Sequence, residues 1–298
     1  MTQSFAKTTL FIRMITLVLF ASITACASTA ETPITVVNNQ ALKDALNSQD
    51  EEAQARYNAR NPEQTLNFFG IEPGMSVVEI LPGGGWYTKI LLPYLGENGS
   101  LIGADYSQKL WPNFDFMTPE RVKEKETWVT TWTEEARSWG NETSASVDAF
   151  QFEELPESMH GKADAVLYFR ALHNLVRFES KGGFLTNALQ DTYAVLKPGG
   201  TVGIVQHQAR EDRPDEWADG NNGYIKKSFV IAKMQEAGFE FVSESSINEN
   251  DKDQANVGDF VWRLPPVYSG SRDDPEKKAA MTAIGESNRM TLKFRKPE

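Results

Sequence analysis

One cysteine, Cys26, in 298 residues leaves no partner for an intramolecular disulfide. Histidine is nearly as scarce. His160, His173 and His207 stand apart, and with no C-x-x-C or H-x-x-x-H spacing the chain offers no ligand set for structural zinc and gives metal-centred chemistry little to work with. Positive charge is short as well: 30 Lys and Arg against 41 Asp and Glu give a net charge of −11, with no basic stripe to follow a polyphosphate backbone. That excludes nucleic acid as the expected partner. What is present is ordinary for a folded protein, 40% hydrophobic and 11% aromatic. A chain of this length buries roughly three quarters of its unfolded surface and needs neither staple nor metal to hold a core.

Lys7 and Arg13 precede ten apolar residues, 14–23 (MITLVLFASI), that run into small ones. This is the three-part layout of a secretory signal, and ten residues are too few to span a bilayer. Two cleavages fit. Ile23-Thr24-Ala25-Cys26 resembles a bacterial lipobox, in which Cys26 carries the lipid, while Ala25-Cys26-Ala27 satisfies the A-x-A of an ordinary signal peptidase, cutting after Ala27. Either predicts an exported protein, periplasmic or anchored to the membrane only through Cys26. Residues 1–27 are then a signal, 28–40 a polar, Thr-rich tether, and 41–298 a single domain with insertions at 107–142 and 243–288.

From residue 40 on, the pattern predicts two short helices up to Gly70, the second capped by Asn61 with Pro62 at its first position. Strands and helices then alternate. Strands are expected over 75–81, 101–104, 145–150, 163–169, 202–206, 239–242 and 290–295, and helices over 86–95, 184–196 and 226–237. Such alternation predicts an α/β fold, a doubly wound and mostly parallel sheet of seven strands. Within the first insertion, Thr118-Pro119 opens a helix whose Val122, Val129, Trp132, Ala136 and Trp139 make an apolar stripe, read as the packing face of a crossover helix. The second insertion is long enough to suggest a functional loop.

The first strand ends in Glu79-Ile80-Leu81-Pro82-Gly83-Gly84-Gly85, a glycine turn that lets backbone N–H groups face a ligand closely. Twenty residues beyond Gly85, Asp105 ends the second strand, where a nucleotide-binding sheet places an acid for ribose hydroxyls. The glycines do not spell G-x-G-x-x-G, and no Tyr-x-x-x-Lys pair accompanies them, so a dinucleotide is disfavoured. The pattern resembles the class I S-adenosylmethionine-dependent methyltransferases, whose first motif is an acid ending strand one followed by x-G-x-G-x-G. Glu79, Gly83 and Gly85 match, and Leu81 stands where the first glycine is expected. Asp105 as the ribose acid, Gln151 in Q-F-E-E-L-P as an adenine contact, Asp164 opening strand four and Leu196-Lys197-Pro198-Gly199-Gly200 before strand five match in order. The resemblance implies a Rossmann-like methyltransferase fold with an antiparallel last strand, S-adenosyl-L-methionine as cofactor held at Glu79, Gly83, Gly84, Gly85, Asp105 and Gln151, and a small-molecule acceptor. The chain is similar also to a group of exported bacterial predicted methyltransferases, through Phe169-Arg170-Ala171-Leu172-His173-Asn174, Val261-Trp262-Arg263-Leu264-Pro265-Pro266 and Gly285-Glu286-Ser287-Asn288-Arg289-Met290.

Methyl transfer from a sulfonium needs alignment, exclusion of water, and a base when the nucleophile carries a proton. His173, just past strand four, and His207, ending strand five, lie where an open parallel sheet binds ligands and are the candidate bases. Arg170 and Asn174 flank His173 as acceptor-binding candidates, Arg170 through a bidentate grip on a carboxylate or phosphate. Tyr224, after Asn221-Asn222-Gly223, is read as part of a lid. Trp86 and Tyr87 are read as packing more than as cofactor contacts. An exported enzyme would have to find its donor outside the cytoplasm, so a second reading stands beside the first: an envelope-associated binding module that keeps the pocket without transfer chemistry.

Overall fold

The computed structural model describes residues 1–2 and 40–298, so the expected signal, Cys26 and the tether up to residue 39 lie outside the described residues. Period-two alternation with apolar residues on both sides drives the sheet. In β1 (Ser76–Ile80) Val77 faces one layer and Val78 and Ile80 the other; β2 (Ser100–Asp105) repeats this with Leu101 against Ile102 and Ala104, and β4 (Ala163–Phe169) with Ala165 and Leu167 against Val166 and Tyr168. A strand apolar on both faces is stable only with helices on both sides. The remaining strands are β3 (Ser146–Gln151), β5 (Leu196–Ala209), β6 (Ile225–Lys226), β7 (Glu240–Ser245) and β8 (Arg289–Arg295).

The order across the sheet is β3-β2-β1-β4-β5-β8-β7, parallel except for β8, which runs antiparallel between β5 and β7. This is the doubly wound sheet with an antiparallel last strand that the sequence predicts. It has eight strands and not seven, because two-residue β6 pairs with the far end of β5. Residues 40–298 belong to one compact unit.

Among the described residues four helices precede β1, where two are expected: α1 (Gln40–Asn47), α2 (Glu51–Gln54), α3 (Tyr57–Arg60) and α4 (Pro62–Phe69). Asn61 does not cap α4 with its side chain. Its backbone is left-handed at φ 43°, and its amide donates instead to the Ile247 carbonyl at 2.7 Å. The other helices are α5 (Thr88–Leu95), α6 (Pro119–Glu124), α7 (Trp128–Trp139), α8 (Leu172–Arg177), α9 (Glu179–Gly182), α10 (Phe184–Val195), α11 (Lys227–Glu236) and α12 (Pro275–Ile284). One apolar layer packs α8, α10 and α11 on the sheet, and the other packs α1, α4, α5 and α7. The helix expected to run on from Thr118 is thus two, α6 and α7, broken by a tight turn at Lys125–Thr127. Trp132 and Ala136 on α7 are buried against the sheet as the stripe predicts, with the Trp132 indole over Gly103 of β2. The second insertion is not all loop, since α12 lies inside it.

At Gly103 an added Cβ would come within 2.4 Å of the Trp132 ring, and this glycine has an ordinary backbone conformation. Gly103→Ala therefore tests packing alone. We expect a loss of about 1–3 kcal/mol, as for overpacked cores, read from the denaturant midpoint with unchanged slope.

Candidate functional site

Two groups of polar side chains gather at the carboxyl edge of the sheet. The first surrounds the glycine turn. Leu81 keeps β1 paired one residue longer, its N–H donating to Ala104 at 2.7 Å, and then turns the chain at φ 51°. A leucine here adopts the conformation a glycine takes freely, a strain that persists only where surrounding structure over-determines it. Beyond it Gly83 and Gly84 are open, with no atom closer than 3.9 Å to an added Cβ, whereas Gly85 sits under the Trp139 indole, 2.3 Å from where its Cβ would be. Glu79 does not reach the turn surface. It is buried in β1 and accepts from Thr88 Oγ1 at 2.6 Å, and burial pushes its carboxyl up to about 8 against the opposing pull of Thr88 and Arg170.

Asp105, 1% exposed, and Gln151 are register partners on β2 and β3. Neither is free. Lys125 Nζ donates to Asp105 Oδ2 at 2.8 Å while the Tyr106 N–H donates to Oδ1 at 2.9 Å, and the Gln151 amide donates to the Lys125 carbonyl at 3.3 Å. The break between α6 and α7 is what brings Lys125 there, and its ammonium also lies 3.9 Å from the Trp111 ring centroid. Burial raises the Asp105 carboxyl from its ordinary range, and Lys125 opposes that rise. Asp164 has a structural placement, accepting from the Ser76 N–H and from Lys197.

The second group lines a cavity of about 220 Å³. Its walls come from three separate stretches of chain: Arg170 and His173 from the first, Val261, Trp262, Leu264, Pro265, Pro266 and Val267 from the second, Glu286 and Ser287 from the third. Arg56 and Arg60, which the sequence reading missed, and His207 complete it. Arg170 resembles Leu81 one strand away: its N–H continues the ladder to Val205 at 2.7 Å and its φ is 61°. The rings of His173 and His207 are 5.6 Å apart, and that of Trp262 stands edge-on to His173 at 5.8 Å. His207 Nδ1 shares a 2.6 Å hydrogen bond with Ser287 Oγ. Asn174 does not line this cavity; its amide turns to the Tyr106 hydroxyl at 3.3 Å.

Charge here opposes that of the whole protein. Glu286 takes Arg56 at 2.6 Å and Arg289 at 3.1 Å, and Arg60 Nε lies 3.4 Å from it without the geometry of a hydrogen bond. Burial would raise the Glu286 carboxyl, but Arg60, Arg289 and Arg56 hold it below its usual value. Burial, with Arg170 next in effect, pushes Arg60 down to about 9, and burial with Arg289 pushes Arg170 down to about 10. Both remain charged at neutral pH. His173 is pushed down to about 4 by burial and by Arg170, against a hydrogen bond from Gln206, and His207 is well below its usual value for the same first reason. Both imidazoles are therefore neutral at pH 7.

Tyr224 is not a lid residue. It is fully buried, stacked 5.5 Å from Trp217, with its hydroxyl on Asp253 and Arg263, so it braces the loop that carries Trp262. Trp86 packs under the Arg60 guanidinium at 4.5 Å, and Tyr87 stacks on Phe169. A larger, shallower cleft of about 830 Å³ lies beside α8 and α11, where Lys226 pairs with Asp215 and Glu211 accepts from Ser228. Among the described residues no cluster of three or more His, Cys, Asp or Glu side chains could hold a metal ion, and no helix is long and apolar enough to cross a membrane.

No protein-family profile and no curated protein sequence matches the chain. Solved structures do. The chain is similar to the [4+2]-cyclase SpnF at 16% identity, over 80% of this chain and 81% of that one, with a TM-score of 0.50. A 1,6-didemethyltoxoflavin N1-methyltransferase of Burkholderia thailandensis, solved with its substrate and S-adenosylhomocysteine, matches at 12% identity over 88% of each chain, TM-score 0.45. A SAM-dependent methyltransferase of Aquifex aeolicus matches at 18% identity over 70% of this chain and 93% of that one, TM-score 0.42. At such identities the likeness is one of fold.

Glu79 gives the site a pH signature. Its pKa is near 4.5 unfolded and about 8 folded, so the native state binds the extra proton between these values and stability falls as pH rises through the interval. Glu79→Gln removes that penalty while keeping an acceptor for Thr88. We expect the stability advantage of the variant to grow from pH 5.5 to pH 7.5 by about 1.4 kcal/mol per pH unit, read by denaturant titration at each pH.

Proposed function

We propose that the protein is an S-adenosyl-L-methionine-dependent methyltransferase acting on a small molecule. The observation that carries this reading is the alignment on adjacent strands of the open Gly83-Gly84 turn ending β1, Asp105 ending β2 and Gln151 ending β3. These residues fit a nucleoside: a turn that admits close approach, an acid for ribose hydroxyls and an amide for a base edge. The fit at Asp105 requires the hydroxyls to replace Lys125 Nζ. The bound group would supply an electrophilic methyl on sulfur.

The chain's own part is orientation and proton handling. Arg170 and Trp262 would hold the acceptor in the cavity beside β4, out of water. His173, with His207 behind it, is the group within that cavity able to take a proton. An imidazole held down to about 4 is a weak base in the empty site, and an anion beside Arg170 would raise it by offsetting the nearby positive charge. Export through residues 1–27 remains part of the proposal, with Cys26 as the candidate anchor.

The Lys125–Asp105 pair favours a second reading as well, a binding module whose cofactor acid has been taken over by an internal lysine. Calorimetric titration of the full chain with S-adenosylhomocysteine separates them. For a methyltransferase we expect binding that weakens tenfold or more in Asp105→Ala, since a charge-assisted acceptor is lost, and tightens in Lys125→Met, where no ammonium competes. Binding by Lys125→Met alone would favour the module. No binding by either protein would remove the nucleoside site.

A further inference from the structure

We propose that the cavity between Arg60, Arg170, His173 and Trp262 binds a small organic carboxylate with an apolar body. The proposal names the acceptor's chemical class if the protein is a methyltransferase, but it rests on a different part of the molecule and its test needs no methyl donor, so the two readings fail separately.

Charge is the first argument. Four guanidinium groups, Arg56, Arg60, Arg170 and Arg289, surround one carboxylate, Glu286, and the two histidines contribute no charge at neutral pH. Buried charge is tolerated when paired, and these charges outnumber their partner. An anion from solution is the missing counter-charge.

Unused donors are the second. Arg60 is 5% exposed and lines the cavity, yet its Nε and Nη1 have no hydrogen-bond partner; the Nε of Arg289, 2% exposed and bound to Glu286, has none either. Orphaned donors on a buried guanidinium each forgo a strong hydrogen bond, and a planar carboxylate is the acceptor the guanidinium fork matches.

Size and lining decide what carries the anion. About 220 Å³ is the share of roughly seven water molecules and gives room for a benzoate-sized acid. Five of the lining residues, Val261, Trp262, Leu264, Pro265 and Val267, are apolar. They offer an inorganic anion no partner and offer an apolar body a matching surface.

The test titrates the full chain, without cofactor, with benzoate, its neutral isostere benzamide and inorganic phosphate, by calorimetry and by the shift in melting temperature. We expect benzoate to bind at least tenfold more tightly than either of the others and to raise the melting temperature. Arg60→Gln should weaken benzoate tenfold or more while leaving the unliganded melting temperature unchanged or higher, because it removes an under-paired buried charge. Arg170→Lys keeps a charge and loses the fork; it should weaken benzoate too, and it reads the same point if Arg60→Gln fails to fold. Equal binding of benzamide, tighter binding of phosphate, no binding of benzoate, or benzoate affinity unchanged in both variants would each overturn the proposal.

Discussion

A parallel sheet buried on both faces tolerates few polar groups along its strands, so the chemistry the chain performs collects where the strands end. That constraint organises the molecule. Val77, Val78 and Ile80, then Leu101 and Ile102, then Ala165 to Leu167 fill the two layers so fully that Glu79 is the buried exception within β1, and burial among them pushes its carboxyl up. At the carboxyl edge the chain must leave the sheet abruptly. Leu81 after β1 and Arg170 after β4 both donate one more ladder hydrogen bond and then turn in the left-handed region, and the two groups of functional candidates begin at these residues.

The regular part of this architecture was legible because it is local. Alternation within β1 to β5, the Pro198-Gly199-Gly200 turn and the alternating Met290 to Arg295 each carry their own signal, and the antiparallel β8 followed from the family resemblance. The pairing of Asp105 with Lys125 was not legible, since it depends on α6 stopping at Glu124. The stripe from Val122 to Trp139 keeps a helical period across that break, so periodicity alone runs the helix through it. Arginine convergence was hidden for another reason. Arg56 and Glu286 are 230 residues apart, and no spacing rule spans such a distance. Tyr224 is hidden because an Asn-Asn-Gly turn suggests exposure, whereas Asp253 and Arg263, from the second insertion, close over its hydroxyl. The stretches that carry Arg170, Trp262 and Ser287 are far apart in sequence and line one cavity in space.

The contrast between global and local charge is the more informative electrostatic fact. A chain of net charge −11 would by itself repel anions, and its surface ion pairs contribute little individually. Inside the cavity the sign reverses, and it does so beside the buried Arg60 and Arg170, where burial strengthens Coulomb interactions. Such an arrangement selects by access and shape: an anion is not drawn to the protein from a distance, and is held only if it fits.

The two groups at the sheet edge also share a wall. Trp86 and Tyr87 leave the glycine turn, and each touches the cavity side: the Arg60 guanidinium lies over Trp86, and Tyr87 stacks against Phe169, the residue before Arg170. Both belong to the packed layer, Tyr87 buried in it with Ile90, Leu91, Leu92 and Leu95 of α5 and Trp86 packed against it. Their position makes the conformation of the turn and the placement of the arginines one packing problem. Close-packed interiors transmit strain instead of absorbing it. Replacing the expected glycine by Leu81 therefore does more than narrow a loop: it fixes the turn that seats Trp86, and Trp86 in turn supports a guanidinium whose own hydrogen bonds are unfilled.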